Sequence, residues 1–384
     1  MGIWLLAAAL AGCGPSDESA VAASVANQFT TESGVEVRID PGAVLDRQSD
    51  SPLLWAAHPR PSLTAESGPD DPTPTPLPLA NLSPAATATR TTVERFEADG
   101  QETCADEPSE TIDCSEGGEP LCEGPGLQFD AEVATRADLT VDLPPCTRLT
   151  VEIGADRRTE TRLRLAVAGR TGTPGPLTDI AGRAAERDAT LLVLTGDHAE
   201  DSTNEDLQAL SDRLRRLPVP VVALPGEREA AGPSLNNFQT LLGPPELSWE
   251  IQLASGVLQF VDVASPNQTL GSDGVEDLAD RLGDFDQGTP LVTLTHTPPL
   301  DPKSLRDRGF RSRIEGARAL SAMAGEEVDL LLAGHVATTH ETDLEGLPTL
   351  VAGESTDGAF ALLDLQPTLD TPDDQLGVEV TRVE

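Results

Sequence analysis

Carboxylates, imidazoles and arginines collect at four places, each directly after a short apolar run. Thr190–Thr195 leads into Gly196-Asp197-His198, and Val219–Leu224 into Pro225-Gly226-Glu227-Arg228-Glu229. Leu291–Thr295 leads into His296-Thr297-Pro298, and Val328–Ala333 into Gly334-His335. Of the five histidines, His198, His296, His335 and His340 all lie in the C-terminal half. Carboxylate plus imidazole is the donor chemistry of Zn, Fe and Mn sites. In open α/β sheets the ligand crevice lies outside the carboxyl ends of the strands, which is where these residues fall if the apolar runs are strands.

The segments between the runs support that reading. Pro176–Asp188 has helical spacing, and in Asn204–Leu217 the residues Leu207, Leu210, Leu214 and Leu217 recur at steps of three and four. Pro218, which has no N–H to continue a helix, stops the second. Strand, helix, strand, helix predicts right-handed crossovers and a parallel sheet. Further strands are expected at Leu163–Ala168, Trp249–Leu253 and Val257–Val263, with helices near Val275–Leu282 and Arg313–Ala324. Thr349–Ala352, Phe360–Leu365 and Gly377–Val383 read as antiparallel strands that finish a second sheet.

Residues 163–365 resemble a calcineurin-like metallophosphoesterase. The resemblance rests on Gly196-Asp197, His296-Thr297-Pro298 and Gly334-His335, which match the family's second, fourth and fifth motifs. It implies an α/β fold of four layers, two mixed sheets flanked by helices. It also implies that Asp197, His296 and His335 bind metal. Other positions depart from the family. The first motif's Asp-x-His is replaced by Gly169-Arg170-Thr171, the third reads Gly226-Glu227-Arg228-Glu229 in place of Gly-Asn-His-Asp/Glu, and the fifth ends in Ala337 where a His is expected. The first metal of the pair loses its ligands except the bridging Asp197. Glu227 stands for the family's Asn, so Asp197, Glu227, His296 and His335 are the expected ligands of one divalent ion, Mn, Fe or Zn, with water open to a substrate. Arg228 takes the place of the catalytic His; it cannot act as an acid at neutral pH but can clamp a phosphate. Arg228 and Asp197 are therefore the expected catalytic residues. Arg170 could place its charge in the vacated first-metal space, while His198 and His340 are expected to be exposed or to act behind the ligands. The implied function is hydrolysis of phosphate esters with a single-metal or impaired site. The alternative is an inactive relative kept for binding or structure.

The N-terminus reads as an export signal. Met1–Gly12 is short and apolar and runs into Leu10-Ala11-Gly12-Cys13, which resembles the lipobox of bacterial lipoproteins, although no Lys or Arg precedes the apolar core. The resemblance implies lipid on Cys13 and a place in the cell envelope, tethered to a membrane. Without Cys13, four of the five cysteines remain: Cys104, Cys114, Cys122 and Cys146. In an exported chain they suggest two disulfides, with all three pairings open.

Four segments follow: a signal peptide at 1–12, a low-order Ala/Pro-rich linker region at 13–89, a small β-rich Cys-bearing module at 90–160, and the phosphoesterase-like domain at 161–384. The Pro-rich stretch 66–84 reads as extended linker, and the acidic 101–123 as a solvated, disulfide-stapled loop. With 65 acidic against 26 basic residues the formal charge is −39, which excludes general binding to nucleic-acid backbones. An anionic phosphate ester must then be met by local arginine and metal.

Overall fold

In the first half, exposure alternates along the chain. Strand β2 (Glu36–Asp40) buries every second residue, and the same period runs through β5 (Ser62–Glu66), β10 (Arg136–Val141) and β11 (Thr147–Ala155). Alternation puts one face of each strand on a core and the other in water. The remaining strands here are β1 (Gln28–Thr30), β3 (Gly42–Leu45), β4 (Leu53–Ala56), β6 (Thr75–Ala80), β7 (Ala86–Asp99), β8 (Thr103–Asp113) and β9 (Leu127–Phe129). They form a six-stranded sheet, β1-β2-β5-β11-β7-β8, and a five-stranded sheet, β3-β4-β6-β10-β9. Val37, Ile39, Leu63, Leu149 and Val151 of the first meet Leu54, Leu77, Leu79 and Leu139 of the second in one core. This computed structural model describes residues 27–31, 34–45, 52–70, 74–99, 103–114, 126–201, 203–230, 234–271, 273–285, 288–301, 308–367 and 376–384. The expected signal peptide with Cys13, and Cys122, lie outside the described residues.

This sandwich corrects the sequence reading. Residues 28–80 are not a low-order linker but contribute six strands, so the β module begins far before residue 90. Within the Pro-rich stretch, Pro76 and Pro78 sit in β6, which pairs with β10 from Thr75↔Val141 to Ala80↔Arg136. Prolines at alternate positions remove N–H groups from one side of a strand only, leaving the other free to pair. The acidic stretch is likewise no simple loop. Thr103–Asp113 is an edge strand on β7, and nearly all of it is exposed. Cys104 pairs with Cys146, tying β8 to the start of β11, and Cys114 is also disulfide-bonded.

The second half adds strands β12 (Leu163–Ala168), β13 (Leu191–Leu194), β14 (Val221–Ala223), β15 (Ser248–Leu253), β16 (Gly256–Val263), β17 (Leu291–Thr295), β18 (Leu330–Ala333), β19 (His340–Leu344), β20 (Leu347–Val351), β21 (Phe360–Pro367) and β22 (Leu376–Val383). Its helices are α1 (Gly175–Ala185), α2 (Asn204–Leu214), α3 (Glu227–Ala230), α4 (Ser234–Leu242), α5 (Gly274–Gly283) and α6 (Arg313–Gly325). The strands make two mixed sheets, β14-β13-β12-β21-β22 and β15-β16-β17-β18-β20-β19. Strands β13, β17 and β18 are buried along their whole length, as strands covered on both faces must be. One core joins the two sheets through Leu165, Val193, Phe260, Leu294, Leu332 and Leu363. A second lies between the first sheet and α1, α2 and α4, and a third between the second sheet and α5 and α6. Two helix starts carry side-chain caps: Thr203 accepts the Asp206 N–H at 3.1 Å, and Ser312 accepts that of Glu315 at 3.2 Å. Helix α2 ends at Leu214, before Pro218 is reached. Of the three expected closing strands only β20 joins the second sheet. Strand β21 returns to pair antiparallel with β12, and β22 pairs with β21. No helix among the described residues is long and apolar enough to cross a membrane.

The halves share a core. Leu45, Leu53 and Trp55 of the sandwich pack with Leu214, Phe238 and Leu242 of the helices. At this junction the Asn81 amide lies along β14: its Nδ2 donates to the carbonyls of Val221 (2.6 Å) and Ala56 (2.7 Å), and its Oδ1 accepts the Val221 N–H at 2.6 Å. His58 stacks on Trp249 at 6.1 Å, and Trp249 on Phe260 at 5.1 Å. Burial, and then the charge of Arg60, lower the His58 pKa to about 3, so this ring is neutral in the fold.

Candidate metal centre

The ends of β13, β17 and β18 bring the three matched residues together. Asp197, His296 and His335 each offer one donor atom, and these atoms lie within 4.8 Å of one another. His296 is fully buried and Asp197 is 6% exposed, so the donors sit largely out of water. The His296 Nδ1 is 2.6 Å from the Thr195 carbonyl. A carbonyl only accepts, so Nδ1 carries the proton and Nε2 keeps its lone pair. A second partner that fixes the ring this way is the usual support of a metal-ligating histidine. That Nε2 is 3.9 Å from Asp197 Oδ2 and 3.2 Å from His335 Nδ1. Two imidazole nitrogens facing at this distance need a proton or a cation between them. Burial, then the neighbouring His296, hold the His335 pKa below the ordinary imidazole range, which favours the unprotonated ligand form.

The backbone pays a conformational cost to do this. Asp197 (φ 62°) and His335 (φ 65°) both occupy the left-handed region. Non-glycine residues there are uncommon and cluster at functional sites. Two glycines are required by close approach. A Cβ on Gly196 would stand 2.4 Å from His296 Nδ1, and one on Gly226 would stand 2.4 Å from the Asp197 nitrogen. Behind β17, Ser265 Oγ is 2.6 Å from Thr295 Oγ1 and accepts the Thr297 N–H at 2.9 Å, holding the turn that follows His296.

The other expected residues are placed differently. Glu227 lies outside the trio, and its Oε1 accepts Gln268 Nε2 at 2.6 Å. The Arg228 backbone N–H donates to Asp197 Oδ1 at 3.0 Å. Its guanidinium Nη1 donates to the carbonyls of Gly172 (3.4 Å), Ala199 (3.2 Å) and Glu200. Arg170 pairs with Glu354 at 3.4 Å, both half-exposed. His198 is not exposed: it is buried, receives the Gly196 N–H on Nε2 at 3.2 Å and sits 3.2 Å from Thr171 Oγ1 through Nδ1. Burial lowers its pKa to about 3. His340 bonds the Thr338 carbonyl at 2.9 Å, and its Nε2 is 3.9 Å from Asp301.

One residue was not singled out in the sequence. Glu229 is 1% exposed, and its Oε2 accepts the N–H groups of Asp197 and Gly226, both at 2.8 Å. Its Oε1 accepts those of His198 (2.8 Å) and Ala199 (2.7 Å). Its signal in the sequence was its match to the acidic residue that ends the third motif of the resembled family.

No protein-family model matches the chain, and no curated protein does. Solved structures do. GAP50, the anchor in the inner membrane complex of Plasmodium, superposes at TM-score 0.45 and 13% identity, covering 58% of this chain and 84% of its own. A dimetal phosphatase from Danio rerio gives 0.42 and 12%, covering 58% and 98%. A predicted phosphoesterase from Streptococcus pneumoniae gives 0.29 and 11%, covering 58% and 98%.

Proposed function

We propose that the chain is a calcineurin-like metallophosphoesterase with one divalent metal, exported and lipid-anchored through Cys13. The observation that carries the metal reading is the convergence of Asp197, His296 and His335 donors within 4.8 Å at the strand ends, with Asp197 and His296 buried. One carboxylate and two imidazoles suit Zn, Mn or Fe. The stacking of helices, two mixed sheets and helices is consistent with the four-layer arrangement of that family. When bound, such an ion polarises a phosphoryl oxygen as a Lewis acid. The chain's own groups do the rest. Thr195 keeps the His296 lone pair turned to the site, and the Arg228 amide holds one Asp197 oxygen so that the other faces His296. Arg228 ties the loop at Gly172 to that at Ala199 and Glu200, and we propose that its charge meets the phosphate of a substrate.

Full-length protein loaded with Mn²⁺, Fe²⁺ or Zn²⁺ should hold about one ion per chain. It should hydrolyse p-nitrophenyl phosphate or its diester slowly, and His335→Ala should lose both properties. Absence of stoichiometric metal under every loading overturns the reading. A second reading, binding without turnover, is favoured by one observation: the Arg228 Nη1 is taken up by three carbonyls and the Arg170 guanidinium by Glu354. Metal without hydrolysis of either ester selects it. The anchor has its own test. Cells fed labelled palmitate should label the native chain and not Cys13→Ala.

A further inference from the structure

We propose that Glu229 is the positioning residue of the metal centre: its carboxylate is the internal anion around which the Asp197 loop is wound. The proposal rests on the metal reading above.

The successive N–H groups of Asp197, His198 and Ala199 turn to one side and, with that of Gly226, enclose the two oxygens of Glu229 at 2.7–2.8 Å. Successive amides gathered by left-handed residues form an anion-binding nest. Here Gly196 (φ 98°) and Asp197 (φ 62°) supply the left-handed turn. The occupant comes from the chain itself, from α3 after the neighbouring strand. No salt bridge to an Arg, Lys or His is found for Glu229 among the described residues, so the four amide dipoles are its stabilisation. Charge-assisted bonds of this kind are roughly twice as strong as neutral ones.

The consequence for Asp197 is geometric. Its left-handed backbone conformation is a strained one for a side-chain-bearing residue and persists only where the surroundings over-determine it. Glu229 supplies that determination, because its Oε2 holds the amide of Asp197 itself and that of Gly226, across the gap between two strand ends. The same Asp197 then turns Oδ2 towards His296. Glu229 touches no donor of the trio's metal-facing side. It acts through Asp197.

Replacing Glu229 by Gln keeps the shape but leaves one oxygen for four donors and turns an NH₂ at the others. The test uses Co²⁺ as probe on the full-length native chain, Glu229→Gln and Glu229→Asp. Affinity is read by competition titration and coordination by the visible absorption bands. Loss of a partner that orients a ligand costs typically ~10–100-fold in metal affinity. Glu229→Gln should show that loss, with changed bands and an unchanged far-UV dichroism, and Glu229→Asp should recover part of it. Wild-type affinity and bands in Glu229→Gln overturn the proposal. If the variants do not fold, hydrogen exchange on the native chain decides. The amides of Asp197, His198, Ala199 and Gly226 should exchange far more slowly than solvent-exposed loop amides, and equal rates overturn it. A native chain that binds no Co²⁺ overturns the metal reading and this proposal together; slow exchange of the four amides would then still show the wound loop, so the two failures remain distinguishable.

Discussion

Asp197 has two sets of neighbours. On one side stand His296 and His335, whose nitrogens face each other and the Asp197 carboxylate. On the other stand Thr171 and His198, which bond each other and the Gly196 amide, and Arg228, whose Nη1 donates to the carbonyls of Gly172, Ala199 and Glu200. Both sets are polar and largely buried. They differ in where their lone pairs and protons go. The first set leaves lone pairs aimed at a common point, which is what a cation needs. The second closes on itself, which is what a fold needs. A buried polar group is therefore a site only when its capacity is not spent inside the chain.

The contrast can be broken at several points. The largest effect is expected for His296→Ala. It removes a ligand held in place by Thr195, and metal affinity should fall by more than the ~100-fold that loss of an outer partner can cost, as read by metal analysis after dialysis. Thr171→Val, on the closed side, should leave affinity within a few-fold. Next is Gly196→Ala. Its Cβ would press on His296 Nδ1 at a backbone angle that disfavours a side chain. Urea unfolding should report a loss of about 2–4 kcal/mol. Acid should act next. His198 and His58 have folded pKa values of about 3. Their unfolded values are near 6.5, so the unfolded chain binds more protons and stability falls as pH drops from 6.5 towards 3. Each ring should cost about 2 kcal/mol between pH 7 and pH 5. Burial raises the Asp262 and Glu229 carboxyls, and that opposes the trend. His58→Phe should flatten the slope of unfolding free energy against pH by one proton. The smallest effect belongs to Arg170→Ala. Its pair with Glu354 is half-exposed, and such pairs contribute about 0–1 kcal/mol.

The candidate ligands Asp197, His296 and His335 were legible for a physical reason. Strands such as Leu191–Leu194 and Leu291–Thr295 are buried on both faces, so they stand out as unbroken apolar runs, and a Gly-Asp or a lone His at their ends is conspicuous. The βαβ units between residues 163 and 333 were readable on the same ground. The N-terminal sandwich was not. Gly42–Leu45 and Leu53–Ala56 are too short to carry a period, β6 contains prolines, and β8 is polar and exposed along most of its length. The pairing of β21 with β12 joins Leu163 to Leu365, and no local pattern encodes so distant a partner. Glu229 was legible only as the acidic end of a motif, not as the acceptor of four amides drawn from two loops, and spacing alone does not show that Gln268 holds one oxygen of Glu227.

Asn81 carries one last consequence. Strand β14 is the outermost of its sheet, and a bare outer strand is a template for any other chain with a free strand to offer. A single amide side chain occupies the N–H and C=O of Val221 that such a chain would use. A protein shortened to begin at residue 160 would lose that guard, together with Trp55 from the shared core. Its hazard would be self-association: the isolated α/β body should form concentration-dependent aggregates, where the longer chain stays dispersed.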